Sequence, residues 1–341
     1  MALSFLRRRH CEPIGTRVRS ATYFACTAVL LAACTTASTS VTTSTQPTTP
    51  SSTPSPSSPS PSSSPTTLSV ALPDPSALVA GFGSLWARSG SSLWQISRTG
   101  EVTAHIADVF PAKPAVAGSQ TLAVGSGSVW TLSTRTAIRI DPSTGQILSR
   151  ITTPQGCEQI VAGAGAMFIA CRDSSLIEID SATGKASVLQ TTGVSPSGLG
   201  YGHGSVWWIN FSEAGGVTRI DPTSAGVTVI SSPYARFVAA TQTEMWFVDV
   251  SGEAFSISPD GGSATHATSK APVALGVTSD SSTVWINDGD LVGFDAKTGK
   301  VTQRVDVSGS QKAQSVAGIA ILGGGIWLVD PKGQRIVEAT L

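Results

Sequence analysis

After residue 67 short apolar runs alternate with small-residue turns, and the alternation keeps a long period. One phrase recurs: small turn residues, then an aliphatic side chain, then an aromatic one. It reads Gly83-Ser84-Leu85-Trp86, Gly127-Ser128-Val129-Trp130, Gly165-Ala166-Met167-Phe168 and Gly204-Ser205-Val206-Trp207. It continues as Thr243-Glu244-Met245-Trp246, Ser282-Thr283-Val284-Trp285 and Gly324-Gly325-Ile326-Trp327. The aromatic anchors stand 44, 38, 39, 39, 39 and 42 residues apart. A second phrase follows many anchors, as in Ile140-Asp141-Pro142-Ser143-Thr144-Gly145, Ile179-Asp180-Ser181-Ala182-Thr183-Gly184, Ile220-Asp221-Pro222 and Phe294-Asp295-Ala296-Lys297-Thr298-Gly299. Asp, Pro and Gly at these offsets mark tight strand connections. Each unit reads as strand, Gly turn, aromatic strand, loop, strand, Asp-Gly turn, strand. Val, Ile, Thr and Trp with frequent turns, and no convincing amphipathic helical stretch, predict an all-β domain over 67–341.

A period near 40 is the length of one four-stranded propeller blade. Seven anchors therefore predict a seven-bladed β-propeller. The last repeat stops after Arg335-Ile336-Val337-Glu338-Ala339-Thr340-Leu341, which corresponds to a third strand, while Thr67-Leu68-Ser69-Val70-Ala71-Leu72 precedes the first repeat as a strand without a blade. Pairing the two completes the last blade and leaves no open edge. Consecutive apolar pairs such as Val129-Trp130 and Val284-Trp285 suit strands covered on both faces, so the anchors are expected in the core. Trp94 and Trp208 fall outside the anchor register, and of these two Trp208 is the one expected at the surface.

The chain before residue 67 is of another kind. Arg7, Arg8, Arg9, Arg17 and Arg19 precede an apolar stretch from Ala21 to Ala33, with Glu12 the one acid. That stretch is shorter than the roughly 20 residues a membrane-crossing helix needs, and the arrangement describes a secretory signal peptide over 1–33. Its end, Leu31-Ala32-Ala33-Cys34, resembles the bacterial lipobox. The resemblance implies cleavage before Cys34, a diacylglycerol on its sulfur and an acyl chain such as palmitate on the new amine, and so stable anchoring to the outer face of a bacterial membrane. From Thr35 to Thr67 all residues except Ala37, Val41 and Gln46 are Ser, Thr or Pro. Such a sequence has nothing to bury, so 34–66 is expected to be a lipidated, disordered tether.

The whole chain balances 22 basic against 22 acidic side chains. Without residues 1–33 the balance is 17 against 21, a formal charge of −4. A mildly acidic domain with no Lys/Arg cluster excludes nucleic acid as the expected partner. Two of the five cysteines, Cys11 and Cys26, leave with the signal, and Cys34 carries lipid. The remaining pair, Cys157 and Cys171, flanks the turn Gly163-Ala164-Gly165 almost symmetrically, which predicts a disulfide in an oxidising compartment.

From Gly83 onward the Gly-aliphatic-Trp and Asp-Pro-x-Thr-Gly phrases resemble those of bacterial repeat propellers related to virginiamycin B lyase. The resemblance covers roughly residues 67–341 and implies the scaffold. The lyase branch uses His and Glu with magnesium. Here His105, His203 and His266 lie in three different repeats, with His203 read as a turn residue, so the activity is not carried over. The stretches Asp180 to Lys185 and Asp295 to Lys300 match the start of a quinoprotein docking motif but lack its Trp. There is no P-loop, dinucleotide fingerprint, clustered metal-ligand motif or nucleophile elbow, so neither a cofactor nor a metal is expected.

In propellers the fourth-to-first and second-to-third strand connections meet around the central channel. Placing them there assembles a polar rim from Glu158, Arg172, Asp173, Asn210, Glu213, Tyr234, Arg236, Asp249, Asn287, Asp288 and Asp330. Glu158 and Arg236 stand out because each lies just before a first strand that lines the channel. The sequence thus points to an extracytoplasmic, lipid-anchored binding or scaffold module for an envelope protein, glycan or polar ligand. The alternative is a divalent-metal-dependent lyase or lactonase of the propeller type.

Overall fold

The computed structural model describes residues 68–110, 119–133, 135–210, 216–232, 234–249, 251–262, 266–268, 274–307 and 318–339. Residues 1–67, with the signal peptide, Cys34 and the tether, lie outside them. The described residues form 28 strands and a 3-10 turn, Ser119–Thr121. After the short β1 (Ser69–Ala71), blade one comprises β2 (Pro75–Gly81), β3 (Ser84–Ser89), β4 (Ser92–Ser97) and β5 (Val102–Ile106). Blade two is β6 (Leu122–Gly125), β7 (Ser128–Ser133), β8 (Thr136–Ile140) and β9 (Ile147–Thr152); blade three is β10 (Cys157–Gly163), β11 (Ala166–Cys171), β12 (Ser175–Asp180) and β13 (Ala186–Thr191). Blade four is β14 (Pro196–Gly202), β15 (Ser205–Asn210), β16 (Val217–Ile220) and β17 (Val227–Ile230); blade five is β18 (Phe237–Ala240), β19 (Met245–Val248), β20 (Glu253–Ile257) and β21 (His266–Thr268). Blade six is β22 (Gly276–Ser279), β23 (Thr283–Asn287), β24 (Leu291–Asp295) and β25 (Val301–Val305), and blade seven begins with β26 (Ile319–Leu322), β27 (Gly325–Asp330) and β28 (Arg335–Ala339).

Every sheet is four-stranded and antiparallel, and the seventh has the order β1-β28-β27-β26. The expected ring closure is therefore present. Ser69, Val70 and Ala71 pair with Val337, Ile336 and Arg335. Backbone bonds from Glu338 N–H to Leu68 C=O (2.9 Å) and from Leu72 N–H to Gln334 C=O (2.8 Å) extend the seam by one residue at each end. Each innermost strand also touches the innermost strands of both neighbours, from β2 through β26 and back to β2. The architecture is a closed seven-bladed β-propeller.

The recurring turn phrase has a local cause. Phe82-Gly83, Ser126-Gly127, Ala164-Gly165, His203-Gly204 and Gly323-Gly324 all take positive φ at both positions. That is the two-residue hairpin whose twist matches the flanking strands, and it favours glycine. His203, at φ 51°, is a turn residue. The serine that follows also has a role: Ser128 Oγ accepts from Arg139 Nε (2.8 Å) and Ser205 Oγ from Arg219 Nε (2.9 Å). Each guanidinium then lies over the anchor of its own blade, Trp130 or Trp207.

The aliphatic-aromatic phrase builds the interfaces between blades. Neighbouring strand positions point to opposite sheet faces, and a blade has a neighbour on each face. Trp86, Trp130, Phe168, Trp207, Trp246, Trp285 and Trp327 each join the apolar cluster shared with the next blade. The preceding Leu85, Val129, Met167, Val206, Met245, Val284 and Ile326 each join the cluster shared with the blade before. This corrects the expectation for Trp208. It is fully buried (0 % exposed), because the position after the anchor points back into the blade three–four interface beside Phe168 and Leu199. Trp94 is the partly exposed one, stacked on His105 with ring centroids 4.1 Å apart.

Two substitutions test this architecture by chemical denaturation. Trp130→Ala is expected to cost about 3–5 kcal/mol as a core truncation. Leu72→Ala, at a residue 1 % exposed within the seam cluster, is expected to cost about 2–5 kcal/mol. A loss for Leu72→Ala well under about 1 kcal/mol would show that the ring does not depend on this seam.

Candidate functional site at the channel mouth

The innermost strands can be aligned by counting back from the last residue before each two-residue turn. Those residues are Gly81, Gly125, Gly163, Gly202 and Leu322 by strand register, and Thr241 and Asp280 by the bonds that close their turns. Three residues earlier stand Leu78, Leu122, Ile160, Leu199, Val238, Val277 and Ile319, an aliphatic side chain from every blade. Five residues earlier, toward the fourth-to-first connections, stand Ser76, Gln120, Glu158, Ser197, Arg236 and Leu275. The channel thus has an apolar waist below a polar mouth.

A cavity of about 150 Å³ occupies the waist, lined by Leu78, Val79, Leu122, Phe237, Val238, Val277, Ile319 and Gln120. Gln120 is its polar lid. Its amide Nε2 donates to the Leu199 carbonyl (3.3 Å) and its Oε1 accepts from the Leu199 N–H (3.3 Å), so one side chain from blade two reaches the inner strand of blade four. Crowding elsewhere in the wall is severe. A Cβ on Gly163 would lie 2.3 Å from the Tyr201 ring, so glycine is required there.

At the mouth, Ser76, Glu158 and Ser197 are each the extra residue where strand pairing slips by one. Such a bulge re-aims its side chain. Glu158 is turned onto Arg172 Nε and forms an ion pair with it; the arginine side chain is 70 % exposed. The residues before these two, Cys157 and Cys171, are register partners with α-carbons 3.8 Å apart and are disulfide-bonded, as the spacing predicted. The bridge fastens the strand ends from which the ion pair projects. Arg236 is exposed and has no carboxylate within ion-pair distance among the described residues; its guanidinium lies 5.9 Å from the Phe237 ring centroid.

Of the other expected rim residues Asp173 is exposed, and the rest are half-buried or buried where described. Asp330 is 1 % exposed, accepting from Gly333 N–H (2.9 Å) and Arg335 Nε (3.0 Å). The Asp288 side chain is 2 % exposed, 3.7 Å from Arg304, while its Oδ1 accepts from Asp290 N–H. Asp249 and Asp173 accept from residues of their own turns, Ser251 and Glu253 for the first and Ser175 for the second. Asn210 is buried and accepts from Thr218 Oγ1 (3.1 Å), and the Asn287 Oδ1 accepts from Gly289 N–H. Tyr234 is half-buried before β18, and Glu213 lies outside the described residues. Glu158, Arg172 and Arg236 present charge at the opening, and among the described residues Asp74, Arg135, Asp173 and Lys332 are also exposed in the loops of this face, whereas Asp249, Asp288 and Asp330 secure their own loops. The histidines lie elsewhere. His105 is on the outer strand β5, His266 on the outer strand β21 and His203 in a turn on the opposite face.

Two residues of interest carried no motif. Gln120 sits in an unremarkable stretch, and only the three-dimensional reach to Leu199 singles it out. Arg88 is 3 % exposed in β3, with its guanidinium 3.9 Å from the Phe110 ring centroid and an unpaired Nε. Burial pushes its pKa down to about 10, opposed by the charge of Asp74.

The opposite face, which carries the third-to-fourth turns, uses aspartate in a uniform way. Asp141, Asp180 and Asp295 each gather amide and hydroxyl donors from the next three residues, and Asp221 gathers the amides of Thr223 and Ser224. These bonds hold all four carboxyls below the ordinary carboxylate range. The leading donors are the Ser143 hydroxyl, the Thr183 amide, the Thr223 amide and the Thr298 hydroxyl respectively.

No protein-family model matches the sequence, and no curated protein matches it. The fold is similar to that of hydrazine synthase from Kuenenia stuttgartiensis, at 14 % identity and TM-score 0.62 over 79 % of this chain and 96 % of that one. It is also similar to BamB from Moraxella catarrhalis, at 12 % identity and TM-score 0.52 over 77 % and 82 % of the two chains. The Pan2 WD40 domain of Neurospora crassa matches at 13 % identity and TM-score 0.60 over 78 % and 89 %. At such identities the likeness is one of fold, and a propeller hosts many functions.

Replacing both Cys157 and Cys171 by serine closes no loop in the unfolded chain and is expected to cost about 3 kcal/mol in urea unfolding. On the opposite face the ionised aspartates contribute stability above their unfolded pKa near 4, and that contribution is lost as pH falls through the lower native values. The Asp141→Asn, Asp295→Asn double variant should therefore show a shallower drop in thermal midpoint than the parent between about pH 5 and pH 2. Parallel curves would remove this linkage.

Proposed function

We propose that the chain is a lipid-anchored, extracytoplasmic binding or scaffold module, and that its ligand meets the channel mouth. The observation that carries this reading is the disposition of charge around the mouth. Glu158 and Arg172 are held at the opening by a bulge and a disulfide, Arg236 is exposed on blade five, and Asp249, Asp288 and Asp330 are committed to their own loops. A rim of this kind offers fixed, solvent-facing charge for recognition. The three histidines lie on outer strands and the far face, so the metal-dependent lyase chemistry of the resembled family finds no support in their placement. The fold it shares with Moraxella BamB, which is a bacterial propeller, is in keeping with a module that works by its surface. The Cys157–Cys171 disulfide supports an oxidising compartment, and the Leu31-Ala32-Ala33-Cys34 motif supports the lipid anchor.

Two experiments test it. Cys34→Ser is expected to abolish incorporation of labelled palmitate in the bacterial host and to release the protein from the membrane fraction; retention of both would remove the anchor. A photo-crosslinking residue at Arg236 should trap a partner in living cells, whereas the same residue at Thr183, on the opposite face, should not. Crosslinks at Thr183 alone would move the binding face.

A further inference from the structure

One contact narrows the ligand class, and the argument rests on the binding-module reading above. The inner strand of each blade turns one edge to the axis, where the backbone N–H and C=O groups have no strand beside them. At Leu199 that edge is satisfied by a side chain. The primary amide of Gln120 gives a donor to the Leu199 carbonyl and an acceptor to its N–H, at 3.3 Å each. An added strand would offer the same pair of groups through its peptide bonds. Gln120 therefore takes the place of one residue of an added strand, whose N–H would donate to the Leu199 carbonyl and whose C=O would accept from the Leu199 N–H.

What lies around that amide defines the rest of a ligand. Below it is the cavity of about 150 Å³, apolar in every lining side chain except Gln120 itself. The cavity opens onto the channel, and a space of that size accepts a benzene-sized group, which matches a leucine or phenylalanine side chain and is too small for tryptophan. Phe237 lines the cavity, and the Arg236 guanidinium lies 5.9 Å from its ring centroid, exposed and without a carboxylate partner among the described residues. A bare strand edge, an apolar-walled cavity and a cation at one channel mouth are the features that a free peptide carboxy-terminus would meet.

We propose that the channel mouth binds the carboxy-terminal end of an extended peptide. The N–H and C=O of one peptide residue replace Gln120 on Leu199, the terminal Leu or Phe side chain fills the waist cavity, and the carboxylate meets Arg236. No bond is made or broken. Gln120 acts as a built-in competitor that keeps the lid closed until such a terminus arrives.

The test is calorimetric titration of the full-length chain with N-acetyl-Ala-Ala-Leu as the free acid, its carboxy-terminal amide, and N-acetyl-Ala-Ala-Ala. The free leucine acid is expected to bind about tenfold more tightly than its amide or the alanine acid. Gln120→Ala removes the competitor and should tighten binding, the opposite of what a merely structural residue would do. Arg236→Gln should erase the preference for acid over amide while leaving the thermal midpoint unchanged. Val277→Phe, which fills the cavity, should abolish the preference for leucine over alanine. Equal binding of acid and amide by the parent, or no binding by either parent or Gln120→Ala, would overturn the proposal. Partner crosslinking at Arg236 alongside that negative result would show that the binding-module reading stands and this ligand class alone fails.

Discussion

The rest of the structure depends on a two-residue interlock. In each blade an aliphatic side chain points back into the preceding interface and the aromatic next to it points forward into the following one. Trp130 thus belongs to the core between blades two and three, while Val129, its neighbour, belongs to the core between blades one and two. A single strand holds two interfaces, so no blade has a core of its own to fold around. Each buries its hydrophobic faces only when both neighbours are present, as stacked repeats generally do. The circle ends where Trp327 packs forward onto Leu78, Leu85 and Ile96 of blade one, together with Val70 and Leu72 of the closing strand.

That interlock also explains how much was legible beforehand. The anchors, the turns and the missing fourth strand lie in local sequence, and they sufficed for blade number, phase and closure. The position of Trp208 was misjudged because an off-register aromatic was treated as spare. In a strand covered on both faces, being one residue off register means facing the other interface. The disulfide was legible because a hairpin converts sequence symmetry about Gly163-Ala164-Gly165 into register. The mouth was harder. Its rim was assembled from loop positions, and position alone does not reveal whether a carboxylate faces solvent or folds back onto its own turn, as Asp249 and Asp330 do. Gln120 was invisible because its partner Leu199 is two blades away.

The two faces of the propeller spend the same chemistry differently. On the far face aspartates are repeated, exposed and satisfied by neighbours in sequence, an arrangement that stiffens turns and leaves little net recognition. At the mouth the equivalent positions differ from blade to blade: serine, glutamine, glutamate, serine, arginine, leucine around the ring. Uniformity marks what every blade needs for folding. Departure from the repeat concentrates where the inner strands begin, and that is where the proposed ligand would meet the ring.

The closing strand has a mechanical consequence. β28 runs from the mouth toward the far face, so β1, antiparallel to it, enters from the far face at Leu68 and ends toward the mouth at Leu72. Tension applied through the chain ahead of Leu68 pulls β1 along its own axis. That loading is in shear, with the bonds from Leu68 to Leu72 strained together instead of peeled one after another. The same few residues that shut the ring would thus carry any load transmitted to it, and a pull strong enough to extract them would open the circle at one defined blade. The closing strand is, in effect, a latch that enters from the far face, with the mouth at its other end.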